Sequence, residues 1–319
     1  MYKSFFRLKE NPFNVNPDPR FLFLTSQIEE ALTCLMYGLQ TRKGFMTLTG
    51  EVGTGKTTLI NRLLDWLHVR RARTAFLFNS RMNSNQLFDF ILAEFEIVCE
   101  SKSKSQQLLK LNHWLLDRYR TGETVVLIID EAQNLSFPVL EEIRLLTNLE
   151  TATEKLLQIV LSGQPELEEK LKLPQLRQLR QRIMLRCRTS PLTKEETFGY
   201  IVERLKTAGA GGAADTIFSP KALETVYLYS LGIPRVINLL CEHSLVNAFT
   251  ENQRPIEPKI VEEVAHEFQL DEVEPIAPVG SITDTEVFNT EAFIQNLGEA
   301  LSRFRREPQV SPTRTRKGV

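Results

Sequence analysis

The chain has 319 residues, 42% hydrophobic and 25% charged, a balance that supports one large globular domain or two and excludes a chain disordered throughout. Its formal net charge is -1 with a pI near 6.5, so no global basic field draws it to nucleic acid or an anionic membrane, and any such contact must be local. The cysteines, Cys34, Cys99, Cys187 and Cys241, are scattered, without a CxxC pair or a histidine at metal-ligand spacing, and read as free buried thiols of a reducing compartment.

Residues 1–7 carry charges where a signal peptide has its apolar stretch, and no run approaches the roughly 20 apolar residues that span a bilayer, so a cytoplasmic location is expected. An N-terminal segment, 1–43, opens with turn-rich Asn11-Pro12-Phe13 and Pro17-Asp18-Pro19. It continues into a helical stripe of Ile28, Leu32, Leu35, Met36 and Leu39. From residue 44 short apolar runs alternate with helical ones. Those at 45–49, 75–78, 125–129 and 156–161 read as buried strands, which predicts an α/β fold with a three-layer parallel sheet over 44–190.

Past Pro191 the strand patterns stop, and 191–270 reads as a small all-helical domain. Thr193 and Glu196 form a capping box ahead of Phe198, Ile201, Val202 and Leu205. Ser219-Pro220 starts a second helix, and further helical patterns cover 234–252 and 258–268. The acidic, proline-bearing stretch 271–287 reads as a linker. A tail helix at 288–306 then carries Phe288, Phe293, Leu297, Leu301 and Phe304 in one stripe beside arginines, and a disordered basic tail fills 307–319. Trp66, Trp114, Phe88, Phe90 and Cys241 are expected in the core.

Gly50-Glu51-Val52-Gly53-Thr54-Gly55-Lys56-Thr57 matches GxxxxGK[ST], follows a strand pattern and leads through Thr58 into a helical one. Glycines let the backbone curl so that successive N–H groups face phosphate oxygens, and the following helix adds its positive end. Lys56 then bridges the terminal phosphates of ATP and Thr57 ligates Mg2+. The run Val125–Ile129 ends in Asp130 and Glu131. A carboxylate after five buried apolar residues is costly unless a cation meets it, which assigns Asp130 to magnesium and Glu131 to activation of the attacking water.

These motifs make the sequence recognisable: over about residues 1–270 it resembles the AAA+ ATPases of the ExeA/GspA type, the general secretion pathway ATPases. The resemblance rests on Asn11-Pro-Phe13 with Pro17-Asp-Pro-Arg-Phe21, the phosphate loop, Asp130-Glu-Ala-Gln133 and Glu142-Ile-Arg-Leu-Leu-Thr-Asn-Leu-Glu-Thr151. It extends through Ser162-Gly-Gln-Pro-Glu-Leu167, Gln181-Arg-Ile183 and Gly232-Ile-Pro-Arg235. It implies a first sensor after strand 156–161, with Gln164 and Ser162 as candidates. It also implies an arginine finger for a neighbouring subunit among Arg177, Arg180, Arg182, Arg186 and Arg188, of which Arg182 best fits the pattern, and a second sensor at Arg235. The family's placement would put Asn11-Pro12-Phe13 beside the adenine.

ExeA/GspA-type proteins continue into a membrane-spanning helix and a periplasmic peptidoglycan-binding domain, which this sequence is not expected to contain. The resemblance implies a homo-oligomer, ring or filament, acting on a protein client in secretion or envelope export. The tail helix allows peripheral contact with the inner membrane. The basic run 177–188 and the Arg/Lys tail motivate a second reading, an ATP-dependent DNA-binding regulator related to the transposition ATPases.

Overall fold

The computed structural model describes residues 1–14, 18–78, 82–101 and 103–270; the expected linker, tail helix and basic tail lie outside them. The described elements fall in one compact unit ending at Ala277. In chain order they are α1 (Tyr2–Phe6), α2 (Ser26–Gln40), β1 (Phe45–Thr49), α3 (Lys56–Val69), β2 (Arg73–Leu77), α4 (Ser84–Glu94) and α5 (Lys104–Arg120). There follow β3 (Val125–Ile129), α6 (Phe137–Leu146), β4 (Leu157–Gly163), α7 (Pro165–Lys172), α8 (Arg177–Arg180) and β5 (Leu185–Arg188). The helical part comprises α9 (Lys194–Leu205), α10 (Pro220–Ser230), α11 (Pro234–Thr250) and α12 (Pro258–Glu267).

The strands form one sheet in the order β2-β3-β4-β1-β5, every neighbouring pair parallel. Every residue of β1 and β3 is buried, without alternation, because both faces are covered. Phe45, Leu127, Ile129, Ile159 and Leu161 join α4–α8 in one core, while α2 packs on β1 and β5 and α3 on β2. β5 was not expected from the sequence; it lies within the basic run, with Cys187 buried and Arg186 and Arg188 exposed.

The register decides where the chemistry sits. Thr49 is level with Gly163 and with Arg188, and Ile129 with Leu161. The residues that follow, Gly50, Asp130, Gln164 and Thr189, therefore leave the sheet at its carboxyl edge, where ligands of open parallel sheets bind.

The helical part forms a second core around Ile201, Leu205, Val226, Ile237, Leu240, Leu245 and Ile260. Its starts are set by local chemistry. Thr193 Oγ1 accepts from the Glu196 N–H at 3.2 Å and Glu196 Oε2 from the Thr193 N–H at 2.9 Å, the expected capping box. The Ser219 hydroxyl accepts from Ala222 N–H at 3.2 Å with Pro220 at the first turn.

The N-terminal segment belongs to this second core: Tyr2, Phe6, Leu8, Phe13 and Phe21 are all buried in it. Residues 18–25 then lead to α2, which starts on a Thr25 cap. Two expectations about apolar residues need correction. Trp66 is half-buried and lies under the Arg70 guanidinium at 4.1 Å rather than in a core, since α3 turns that face outward. Cys99 is likewise only half-buried. Phe88 is fully buried, Phe90 and Trp114 lie on the core's margin, and Cys241 is buried.

Candidate active site

Gly53 and Gly55 adopt φ of 83° and 94°, the left-handed region that lets the loop curl back over the start of α3. Space as well as torsion demands glycine at 53, because a Cβ there would stand 2.8 Å from Arg235 Cβ. Lys56 is buried, and its ammonium donates to the carbonyls of Gly50 at 2.7 Å and Glu51 at 2.9 Å. Burial holds this ammonium below the ordinary lysine range, while the carboxylates of Glu131, Asp130, Glu51 and Glu166 act in the opposite direction. A cation held only by loop carbonyls is poised for an anion. Thr54 is fixed through a 2.8 Å contact of its hydroxyl with that of Thr189, beyond β5.

Asp130 is buried at the end of β3. Its Oδ1 accepts from the Ser162 hydroxyl at 2.7 Å and from the Glu131 N–H at 3.0 Å, which fixes the carboxylate plane. Its Oδ2 faces the Thr57 hydroxyl, which donates to it at 3.4 Å. One carboxylate oxygen beside one hydroxyl, both hard donors, opposite a phosphate loop, fits magnesium, which takes one or two protein oxygens together with substrate phosphates.

Glu131 sits at φ 53°, ψ 37°, a left-handed conformation unusual outside glycine. This turns its side chain away from the line of β3 toward the end of β4. There Glu131 Oε2 accepts from Gln133 Nε2 at 2.5 Å and from Gln164 Nε2 at 3.2 Å. Gln133 Oε1 in turn accepts from the Gln164 N–H at 3.1 Å. The Lys170 ammonium secures this loop from α7 by donating to the carbonyls of Gln133 at 2.5 Å and Leu135 at 2.8 Å. Of the two sensor candidates, Ser162 is thus spent on orienting Asp130, whereas Gln164 shares a carboxylate oxygen with the loop of Glu131.

The helical part reaches the same place. The Arg235 N–H, one of the first N–H groups of α11, which have no partner inside the helix, bonds to the Gly53 carbonyl at 3.2 Å. Between the phosphate loop and α9 lies an open cavity, walled by Phe21, Leu22, Phe23, Leu192, Tyr200 and Arg204, with Thr54, Gly55 and Thr58 at its loop end.

An AAA domain family matches residues 39–171. Over 257 residues the chain is 43% identical to the General secretion pathway protein A of Aeromonas hydrophila, a match that takes in 80% of this chain and 46% of that protein. The chain is an AAA ATPase of the ExeA/GspA type. This ATPase spans about half the length of that curated relative.

Among solved structures the ATPase is similar to CDC6P from Pyrobaculum aerophilum, with a TM-score of 0.61 at 19% identity, covering 82% of this chain and 71% of that one. The Aeropyrum pernix ORC2 protein in its ADPNP-ADP complexes gives 0.59 at 16% identity, covering 83% and 75%. At such identities the likeness is one of fold.

Several residues of the site escaped the sequence reading, and one expectation is corrected. Asn11-Pro12-Phe13 does not wall the cavity: Phe13 is 1% exposed and packs edge-on against Phe218 at 6.5 Å, in the core of the helical part. Phe21 to Phe23, a few residues later, take the wall. Tyr200 and Arg204 were missed although they share the buried stripe of α9 with Ile201 and Leu205; a polar pair on an apolar stripe is a readable signal.

Arg182, the chosen finger, lies elsewhere. It precedes β5, whose Leu185 is level with Met46 near the start of β1, so it stands toward the edge of the sheet opposite the phosphate loop. Its Nη1 donates to the Thr147 hydroxyl at 2.8 Å. Arg188 is ion-paired with Glu168 at 2.5 Å, and Thr49 donates to the same carboxylate.

Proposed function

We propose that the ATPase binds and hydrolyses Mg-ATP as a homo-oligomer and uses the cycle to drive assembly of a protein partner in secretion or envelope export. The observation that carries this reading is the convergence of the phosphate loop, Asp130, Glu131, Gln164 and the start of α11 at one edge of the sheet. Lys56 neutralises the terminal phosphates, and the backbone N–H groups of Gly53 to Thr58 cradle them. Thr57 and Asp130 hold Mg2+, which when bound spreads the charge developing on the phosphate oxygens. Glu131 orients the attacking water and takes its proton. Gln164 lies within reach of that carboxylate and serves as the first sensor, while Arg235 enters from the helical part as the second.

Arg182 acts on the neighbouring copy's nucleotide. Its place away from its own phosphate loop supports a contribution in trans, and a finger of this kind adds roughly 10³- to 10⁵-fold in rate. The protein client is supported by the likeness to a general secretion pathway protein. Among the described residues no helix is long and apolar enough to cross a membrane, and the reading places the ATPase in the cytoplasm, with peripheral contact at the inner membrane through the tail. The DNA-binding alternative draws less support, because Arg182 and Arg188 of the basic run are engaged by Thr147 and Glu168.

Sedimentation of the full chain with Mg2+ and a non-hydrolysable ATP analogue tests the proposal. Association beyond the monomer is expected, with specific hydrolysis rising with protein concentration. A strict monomer with concentration-independent activity contradicts it.

A further inference from the structure

Arg204 is 8% exposed, and a guanidinium so buried ordinarily requires a carboxylate partner. Among the described residues it makes no ion pair; Asp18 senses its charge through space. Neutral groups hold it instead. Nε donates to the Pro12 carbonyl at 2.6 Å. Nη1 donates to the Tyr200 hydroxyl at 2.7 Å, and that hydroxyl donates onward to Asn238 Oδ1 at 2.9 Å. The rings of Phe21, Tyr200 and Phe13 stand 4.8, 5.3 and 6.0 Å from the guanidinium carbon, where their π faces favour a cation.

Two of the five N–H donors of the guanidinium are engaged in these bonds, and the side chain lines the cavity. The cavity runs from Thr54, Gly55 and Thr58 of the phosphate loop to an end walled by aromatic and aliphatic side chains. A site for further phosphate would be rich in backbone N–H groups; rings and a planar cation suit a flat heterocycle with acceptor nitrogens at its edge.

The same arginine ties neighbouring segments to the cavity wall. By holding the Pro12 carbonyl it ties the N-terminal segment to α9. A few residues later Phe23 lies against α9 at Gly199, where an added Cβ would meet its ring at 3.1 Å, and edge-on to Tyr200 at 5.9 Å. Pro12 on one side and Phe21 to Phe23 on the other thus both meet α9 beside the cavity.

We infer that Arg204 recognises the base of the bound nucleotide, offering donors to the acceptor edge of a purine. The inference rests on the phosphate loop being the ATP site. It separates the base, read by Arg204, from the triphosphate, read by Lys56.

Calorimetric titration of the full chain, with Mg2+ present throughout, compares ATP with inorganic tripolyphosphate, which lacks base and sugar. In Arg204→Met, ATP affinity falls by about 10-fold or more, the loss of a charge-assisted hydrogen bond, while tripolyphosphate affinity is unchanged. An equal loss for both ligands, or no loss for either, overturns the inference. Should the Met variant lose its near-ultraviolet circular dichroism, Arg204→Lys carries the test by the same two affinities, since it keeps the cation and removes the fork. Lys56→Ala abolishes binding of both ligands; if it binds both as the unaltered chain does, the phosphate-loop reading fails rather than the role of Arg204.

Discussion

Glu131 combines a left-handed backbone with a carboxylate oxygen that receives two side-chain amides. An unusual torsion of this kind persists where surrounding contacts impose it, and Gln133 supplies them: its amide donates to Glu131, and its carbonyl oxygen takes the Gln164 N–H. Truncation in Gln133→Ala is expected to lower kcat by about 10-fold while leaving ATP affinity unchanged, because Glu131, in its proposed role as general base, would be misplaced rather than removed. Single-turnover hydrolysis beside equilibrium binding measures the two quantities separately; weakened ATP binding with normal turnover would show Gln133 to be a binding residue instead.

The phosphate loop, Asp130 and Glu131 were readable from sequence because their chemistry depends on local spacing and on a buried strand that ends in acid. Gln133 was not, because it is defined by a partner far along the chain, Gln164; Arg204 was open to reading as a polar residue on an apolar stripe, but its bond to the Pro12 carbonyl was not.

The helical elements were legible from their caps and stripes, and the capping box of α9 has both of its hydrogen bonds. β5 was hidden for a physical reason. It is a four-residue strand at the sheet edge whose exposed arginines mask a single buried Cys187, so neither length nor apolar content marks it.

The packing of α1 on α11 was equally illegible, and it has a measurable pH signature. The Tyr2 hydroxyl donates to Glu242 at 2.8 Å, and burial, then that bond, push its titration above the ordinary tyrosine value of 10.0. Burial raises Tyr200 as well. A raised folded-state pKa means that the native state keeps its proton where the unfolded chain has lost it, so this stability is complete below pH 10 and declines as pH rises beyond. Denaturant titrations at successive alkaline pH values are expected to show that decline, with a shallower slope in Tyr2→Phe. An unchanged slope would mean that the α1–α11 contact carries none of it.

At the scale of the molecule, one apolar core lies against the sheet and the other gathers the helical part together with the N-terminal segment. The cavity beside the phosphate loop lies where they meet, lined by Ile28 and Thr58 from one side and by Leu192 and Tyr200 from the other. The alternation of strand and helix patterns foretold the parallel sheet. The return of residues 1–13 onto the far helices left no trace in local periodicity, because contacts between the two ends of a chain are set by tertiary packing alone.

The placement of Arg182 toward the opposite edge of the sheet supports the proposed completion of each ATP site by another copy. In the proposed head-to-tail assembly, the arginine edge of one copy would meet the phosphate edge of the next. Glu131→Gln and Arg182→Ala are each expected to hydrolyse ATP poorly alone. When the two full-length variants are mixed in equal amounts, roughly a quarter of the interfaces of a head-to-tail assembly join an intact Glu131 to an intact Arg182. Phosphate release by the mixture is expected to rise well above the sum of the separate variants. Activity equal to that sum, in a mixture shown to co-assemble, would contradict it.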